Sequence, residues 1–206
     1  MRRLFFCLMA MMGVLTLSAQ SVCENEVINN IMTRTSIRQY TNEPVSKADI
    51  ETMLRAGMAA PTAVNKQPWH FVAVTNKEKL AELAGRRGMI KQAGVAIVVC
   101  GNLDKAMQGK AQEYWIQDCS AATENILLAA KALGLGAVWT GCYPMDDRVA
   151  EVSSAHGDRN DVHPNYSRTA AVPLQSHPSA ACSHRSFRVI LLVPSAYPPD
   201  RNHVAY

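Results

Sequence analysis

Two arginines and a serine at alternate positions form the first group of residues that could do chemistry. They lie in RTSIRQY, residues 34 to 40, where the preceding helical pattern lapses and β-branched residues favour an extended chain. Alternate side chains of an extended chain point to the same side, so Arg34, Ser36 and Arg38 would lie together. Guanidinium groups bind phosphate oxygens bidentately and keep their charge at any accessible pH. The stretch predicts a phosphate site; the alternative is a solvated polar strand with one salt-bridged arginine.

A second group lies in APTAVNKQPW, residues 60 to 69. Pro61 ends the preceding helical pattern, and Pro68 stiffens the chain before the next apolar run. Between them, Asn65 and Gln67 carry amides that can both donate and accept hydrogen bonds. Such a loop could read a ligand edge with mixed donors and acceptors, as on a flavin ring. The alternative is a rigid connector whose amides cap neighbouring backbone groups.

Alternating helices and strands would position both groups. Apolar residues at helical spacing and short apolar runs predict helices over residues 27–32, 46–54, 77–86 and 118–133, and strands over residues 71–75, 95–100 and 136–140. Ser46 and Asp49 form a capping pair at the start of the second helix. The run 95–100 is apolar on both faces, which predicts a central strand. Helices that separate strands indicate an α/β or α+β layered domain.

The composition limits the class of protein. A chain of 206 residues, 48% of them hydrophobic, can bury one sizeable core, which favours one domain or at most two. The net charge is +4 with both signs scattered, and no run of Lys and Arg alternates with aromatics, so a nucleic-acid partner is not expected. The cysteines show no metal-type spacing, and Cys100 and Cys119 fall in patterns that predict buried thiols.

The first twenty residues have the order of a secretory signal. Two arginines after Met1 precede an apolar run from Leu4 to Leu17, and small residues follow, so we expect cleavage after Ala19. The expected location is therefore periplasmic or extracellular. The apolar run of about 14 residues is shorter than the roughly 20 that a membrane-spanning helix needs, so no stable span is expected after cleavage.

Two longer stretches together resemble the nitroreductase family of flavoproteins. RTSIRQYTNEPVSKADIETMLRAGMAAPTAVNKQPWHFVAV resembles the family's R-x-S-x-R-x-aromatic stretch, its following helix, and its A-P-(S/T)-x-x-N-x-Q-P-W loop before a strand. DCSAATENILLAAKALGLGAVWTG, residues 118 to 141, is similar to the family's long dimer-forming helix and the strand beneath the flavin. The resemblance covers residues from about 26 to 150. It implies an α+β sandwich, with a mixed central sheet flanked by helices, that an obligate homodimer completes.

The resemblance also implies two FMN molecules at the subunit interface and names the residues that would hold them. Phosphate and ribityl contacts are expected from Arg34, Thr35, Ser36 and Arg38. A loop reaching the flavin from the other subunit is expected at Pro61, Thr62, Ala63 and Asn65, with Gln67 in support. The segment passing the isoalloxazine edge is expected at Trp139, Thr140 and Gly141.

The activity that the resemblance implies is hydride transfer from NADH or NADPH to bound FMN, and then electron transfer to a small acceptor such as a nitroaromatic or quinone. Because the flavin carries the chemistry, no side chain is expected to act as acid, base or nucleophile, and no metal is expected. One alternative is a flavoenzyme of the same fold with a different acceptor. Another is a non-catalytic, poorly folding family remnant with a damaged C-terminus.

Residue usage changes after about residue 155. Five of the six His and six of the ten Pro lie beyond residue 150, and the family's basic residue and partner-embracing arm cannot be recognised there. We therefore divide the chain into a signal peptide (1–19), a nitroreductase-like FMN-binding domain (24–155) and an atypical segment (156–206), interpreted as frame-shifted or disordered. The run from Phe187 to Val193 fits a strand, but by itself it is weak support.

Overall fold

The computed structural model describes residues 25–155 and 187–195, which fall in two compact units, residues 1–33 and residues 34–206. The first unit contributes helix α1 (Glu26–Thr33), whose first backbone N–H groups donate to Asn25 Oδ1. Its apolar side chains are exposed, and they are Val27, Ile28, Ile31 and Met32. The helix predicted at residues 27–32 is confirmed.

The second unit is built on a four-stranded sheet with the order β1-β2-β4-β3. Its strands are β1 (Trp69–Val74), β2 (Ala96–Asn102), β3 (Gly136–Gly141) and β4 (Phe187–Ser195). All three strand pairs are antiparallel. The parallel contact among the described residues is an isolated bridge beside β3 that lies outside the four strands, so the described sheet is antiparallel, whereas a mixed sheet was predicted. As predicted, β2 is a buried inner strand.

Three of the helices described in this unit follow the predicted order, and the fourth, at residues 146–155, was not predicted from the sequence. They are α2 (Lys47–Met58), α3 (Lys77–Ala84), α4 (Tyr114–Ala132) and α5 (Asp146–Ala155). Ser46 caps α2 as predicted, because its side chain accepts a hydrogen bond from the Asp49 N–H. Helix α4 begins at Tyr114, four residues before the predicted start. The early start is supported by tertiary packing, since the Trp115 ring lies against Gly101 and edge-on to Tyr143.

Two layers of helices cover the two faces of the sheet. The first apolar cluster joins α2 and α4 to alternate strand residues, which are Phe71, Ala73, Ile97, Val99 and Ala137. The second joins α3 and α5 to the intervening strand residues, which are Val72, Val74, Ala96, Val98, Cys100 and Val138. Alternate side chains of a strand point to opposite faces, so each helix layer packs on its own set. The domain is therefore an α+β sandwich, as predicted.

Strand β4 corrects the interpretation of residues 156–206. Disorder does not describe residues 187–195, because they pair with both β2 and β3, while the frame-shift interpretation stays a prediction. A domain boundary at residue 155 would remove an inner strand from the sheet. The short apolar run was uninformative because its partners lie about fifty and ninety residues earlier in the chain. The rest of that segment and the predicted signal peptide lie outside the described residues.

Candidate functional site

The predicted phosphate segment, residues 34–38, lies along the outer edge of β3. Ser36 forms a parallel bridge with Ala137, and the Ile37 N–H donates to the Ala137 carbonyl oxygen at 3.0 Å. The Tyr40 hydroxyl, on a buried side chain, donates to the Ile37 carbonyl oxygen at 2.8 Å. These contacts fix the segment in an extended form beside β3, as the sequence predicted.

The two arginines of this segment have different surroundings. Arg34 is partly buried and pairs with Glu124 on α4, with 3.4 Å between Nε and Oε1. Arg38 is exposed, and its Nη1 donates to the Ser36 carbonyl oxygen at 3.4 Å. The segment makes one bridge and is not a regular strand, so the placement of Arg34, Ser36 and Arg38 on one side stays a prediction. Arg34 shares a pocket with its neighbour Thr35.

That pocket is a small cavity of about 20 Å³, roughly the room that one or two water molecules need. Its lining consists of Arg34, Thr35, Ile37, Leu127, Lys131, Leu135 and Ala137. Lys131 lies in the last turn of α4 and was not among the predicted site residues, because helical spacing alone does not indicate which segment packs beside it. The pocket therefore holds two cationic side chains, Arg34 and Lys131.

The second predicted segment, the loop of residues 61–67, contains a short 3-10 turn, Ala63–Asn65, in an unusual backbone conformation. Val64, Asn65 and Gln67 have positive φ angles of 43°, 58° and 50°. Gln67 donates its backbone N–H to Thr62 Oγ1 and its side-chain Nε2 to Asn65 Oδ1, at 3.0 and 3.1 Å. Gln67 thus supports Asn65, as the resemblance implied, and Val64 at the tip is 74% exposed.

Helix α4 holds this loop through Asp118. The Ala63 N–H donates to Asp118 Oδ1 at 2.8 Å. Asp118 is buried, and burial raises the pKa of its carboxyl group, while the Ala63 N–H opposes that rise. The pKa of the Cys119 thiol is raised mainly by burial and to a smaller extent by the nearby charge of Asp118. The sequence indicated only a first-turn acid at residue 118, whereas the helix begins earlier and the side chain is turned to the loop.

At the end of the loop, Trp69 places a buried hydrogen-bond donor. Its ring stacks on Phe71 with the ring centroids 5.3 Å apart. The indole Nε1–H has no hydrogen-bond partner among the residues that the structure describes, although it is buried. Buried donors without an acceptor are rare in folded proteins, because they lose their hydrogen bonds to water and gain none in return. A bound group or a second chain that accepts from the Trp69 indole would remove that free-energy cost.

The third predicted segment forms the second half of β3. Trp139 and Gly141 are exposed on the face that Ala137 shares with α4, whereas Thr140 is buried on the opposite face. A Cβ placed on Gly141 would meet no atom within 4 Å, so this face has open space. Thr140 could therefore contact a ligand on this face only through its backbone.

Helix α4 separates the parts of the site along its length. Asp118 binds the loop of residues 61–67, and Lys131 lies at the pocket of the 34–38 segment. Thirteen residues of helix rise correspond to about 20 Å. One chain therefore joins the 34–38 segment to β3 through direct hydrogen bonds, while it holds the loop at a different level of α4.

Within residues 25–155 and 187–195, no group of three or more His, Cys, Asp or Glu side chains is placed to hold a metal ion. In the same part of the chain, no helix combines the length and apolar character needed to cross a membrane. Cys100 and Cys119 are buried, as predicted.

Comparisons with known proteins agree with this architecture. A provisionally named NADH dehydrogenase/NAD(P)H nitroreductase of Methanothermobacter thermautotrophicus is 47% identical over 131 residues, which cover 62% of this chain and 67% of that protein. An FMN reductase [NAD(P)H] of Bacillus subtilis is 30% identical over 135 residues, and the match covers 57% of this chain and about half (54%) of the relative.

A solved structure shows the same fold. A provisionally named nitroreductase of Desulfovibrio desulfuricans in complex with FMN superimposes with a TM-score of 0.62 at 26% identity, covering 87% of this chain and 93% of the other. The family model described as "Nitroreductase family" matches residues 31–86 and 81–159, which contain all three segments of the site. With its sandwich fold and its three site segments in that order, the chain belongs to the nitroreductase family of oxidoreductases.

Proposed function

We propose that this chain is an FMN-dependent oxidoreductase that accepts hydride from NADH or NADPH and reduces a nitroaromatic or quinone-like acceptor. The observation that carries the proposal is the hydrogen-bonded contact of the 34–38 segment with β3, because it joins cationic side chains to the open face at Gly141. The names of the Bacillus relative and of the Desulfovibrio complex support FMN as the cofactor.

The residues of the site fit FMN chemically. Arg34, Arg38 and Lys131 offer positive charge for a phosphate, and guanidinium groups form strong, charge-assisted bonds to phosphate oxygens. One face of β3 has room for a flat apolar ring, because there is open space beside Gly141 and Trp139 is exposed on the same face. The Trp69 Nε1–H is a buried donor that a ligand could satisfy.

Each part of the chain has a separate task in this proposal. The 34–38 segment binds the phosphate and ribityl chain through Arg34, Thr35, Ser36 and Arg38. The loop contributes Pro61, Thr62, Ala63 and Asn65, with Gln67 holding the Asn65 amide in place. The segment Trp139, Thr140 and Gly141 covers the edge of the ring, with backbone groups as hydrogen-bond partners. When bound, FMN supplies the hydride-accepting chemistry, so the protein needs no acid, base or nucleophile of its own.

A homodimer is part of the proposal. Within one chain, the loop and the 34–38 segment lie at different levels of α4, so a second subunit would bring its loop to the flavin bound by the first. We also propose export with cleavage after Ala19, because the first twenty residues carry the order of a secretory signal. An exported enzyme of this kind would act on small oxidised molecules outside the cytoplasm.

The test begins with the colour of the purified full chain. The protein should bind FMN with one flavin per chain, and anaerobic addition of NADH or NADPH should bleach the flavin absorbance. Nitroaromatic and quinone acceptors should restore the absorbance faster than oxygen does. A folded protein that binds no FMN would contradict the proposal. Reoxidation by oxygen alone would instead favour a flavoenzyme of the same fold with another acceptor.

The remnant alternative receives less support from the fold. A damaged C-terminus should leave the sheet incomplete, yet β4 from this region pairs with both β2 and β3. The same measurement of FMN binding to the purified chain tests this alternative, because a remnant would be unable to hold the cofactor.

A further inference from the structure

We propose that Asp118 is a positioning residue that fixes the flavin-facing loop, residues 61–67, by binding the backbone of Ala63. This inference rests on the proposed function and adds a residue to it. Asp118 lies on α4, 55 residues from Ala63 along the chain, and its Oδ1 accepts the Ala63 N–H at 2.8 Å. It connects the loop to α4, the longest of the described helices.

The bond gives an acceptor to the Ala63 backbone N–H, which has no partner within the loop itself. Ala63 is the first residue of the 3-10 turn, and such first N–H groups have no partner within the turn. A cap from the preceding residue is the usual solution, but the Thr62 side chain makes no capping bond and instead accepts from the Gln67 N–H. Asp118 therefore does from a distance what a local cap would do.

The loop needs such an anchor because its own conformation is costly. Val64, Asn65 and Gln67 all have positive φ, a region that residues with a Cβ rarely adopt because it strains the backbone. No residue of the turn is buried, so apolar packing does not offset that cost. Hydrogen bonds must hold the loop, and the Ala63–Asp118 bond ties it to α4.

The chemistry of Asp118 suits this task. The side chain is buried on α4, beside Cys119, so its position is set by the packed helix and not by the loop. A carboxylate bond to a backbone N–H is charge-assisted and stronger than a neutral one. Asn at this position would keep an acceptor oxygen, whereas Ala would remove it, so the two variants separate the hydrogen bond from the charge.

The experiment compares wild type with three full-length variants, D118A, D118N and Q117A, by amide hydrogen exchange without FMN and by FMN titration. In D118A the Ala63 amide should exchange at least about tenfold faster, and FMN should bind about tenfold more weakly. D118N should restore most of both properties. Q117A is the matched control, because Gln117 is the exposed neighbour of Asp118 on α4, and it should behave as wild type.

A variant on the loop side keeps the test valid if D118A does not fold. A63P removes the N–H donor, and proline is tolerated at the first position of a helical turn when the preceding residue is extended, as Thr62 is. A63P should weaken FMN binding to a similar extent. Adding D118N to A63P should weaken FMN binding no further, since the hydrogen bond between residues 63 and 118 is already absent.

The outcomes separate this inference from the proposed function. If wild type binds FMN and D118A binds it equally well, Asp118 has no positioning role, while the proposed function stands. If the Ala63 amide exchanges at the wild-type rate in D118A, the anchor itself is refuted, whatever the flavin result. If wild type binds no FMN, the proposed function fails and the flavin-positioning role fails with it.

Discussion

Ser36 pairs with Ala137 in a parallel bridge at the outer edge of β3. The residue after Ser36 donates its backbone N–H to the carbonyl oxygen of Ala137, so main-chain bonds, which do not depend on side-chain rotamers, hold the two segments together. The cationic 34–38 segment therefore keeps a fixed position relative to the open face of β3.

Replacing Arg34 with Ala should weaken FMN binding about tenfold or more, because a charge-assisted bond to phosphate is lost. Titration of FMN fluorescence gives the dissociation constant. Lys105, an exposed cation outside the site, provides the control K105A, which should bind FMN as wild type does. Wild-type affinity in folded R34A would remove Arg34 from the phosphate site.

Replacing Glu124 with Ala tests the same site from the other side. Glu124 and Arg34 form an ion pair with 3.4 Å between Oε1 and Nε, so Glu124 would compete with a bound phosphate for the Arg34 guanidinium. E124A should therefore bind FMN at least as tightly as wild type, and the partly exposed ion pair should contribute little to the free energy of unfolding. Loss of FMN affinity in E124A would indicate that Glu124 orients Arg34 and does not compete for it.

Filling the open face of β3 should block the flavin. Gly141 has room for a side chain, so G141A and G141L should fold normally, as the circular dichroism spectrum and the melting temperature will show. FMN affinity should fall progressively from Gly to Ala to Leu, because a growing side chain occupies the space for the ring. Equal FMN binding in all three proteins would place the ring elsewhere.

Strand β4 should be essential to the sheet. Leu191 pairs with Val98 of β2 and with Thr140 of β3, so L191P introduces a proline into an inner strand and prevents its N–H from joining the ladder. Unfolding or aggregation is expected. The control is P194A near the end of the same strand, which should fold. Native circular dichroism for L191P would show that residues 187–195 do not complete the sheet.

The buried phenol of Tyr40 predicts a loss of stability in alkali. Burial raises the pKa of Tyr40 above its ordinary value of 10.0, and the Arg38 charge opposes this rise. The folded chain then keeps a proton that the unfolded chain has lost, so the free energy of unfolding falls as the pH rises above about 10. The Cys119 thiol adds a similar fall, starting near its ordinary value of 9.0.

Urea denaturation at a series of pH values measures this loss. Y40F should show a shallower fall above pH 10 than wild type, because it has no phenol to ionise. At neutral pH, the free energy of unfolding of Y40F should be lower than that of wild type by about 1 kcal/mol, because Y40F lacks the hydrogen bond to the Ile37 carbonyl oxygen. Identical slopes for the two proteins would refute the assignment.

Local patterns in the sequence determined most of the secondary structure. Three features depend only on residues that are close in the sequence: the spacing of apolar residues, the Ser46 cap and the run of β2 that is apolar on both faces. They could therefore be predicted without knowledge of the tertiary structure. The order of the three site segments likewise identified the family, because motifs of this kind are set by residue type and spacing.

Tertiary structure alone decided the contacts between distant residues. β4 lies between β2 and β3, Ala63 binds Asp118 across 55 positions, and Arg34 meets Glu124 on α4. The early start of α4 also depends on Trp115 packing against Gly101. No local pattern specifies such pairs, because each depends on which surfaces meet when the helices cover the sheet, and that is a property of the whole packed core.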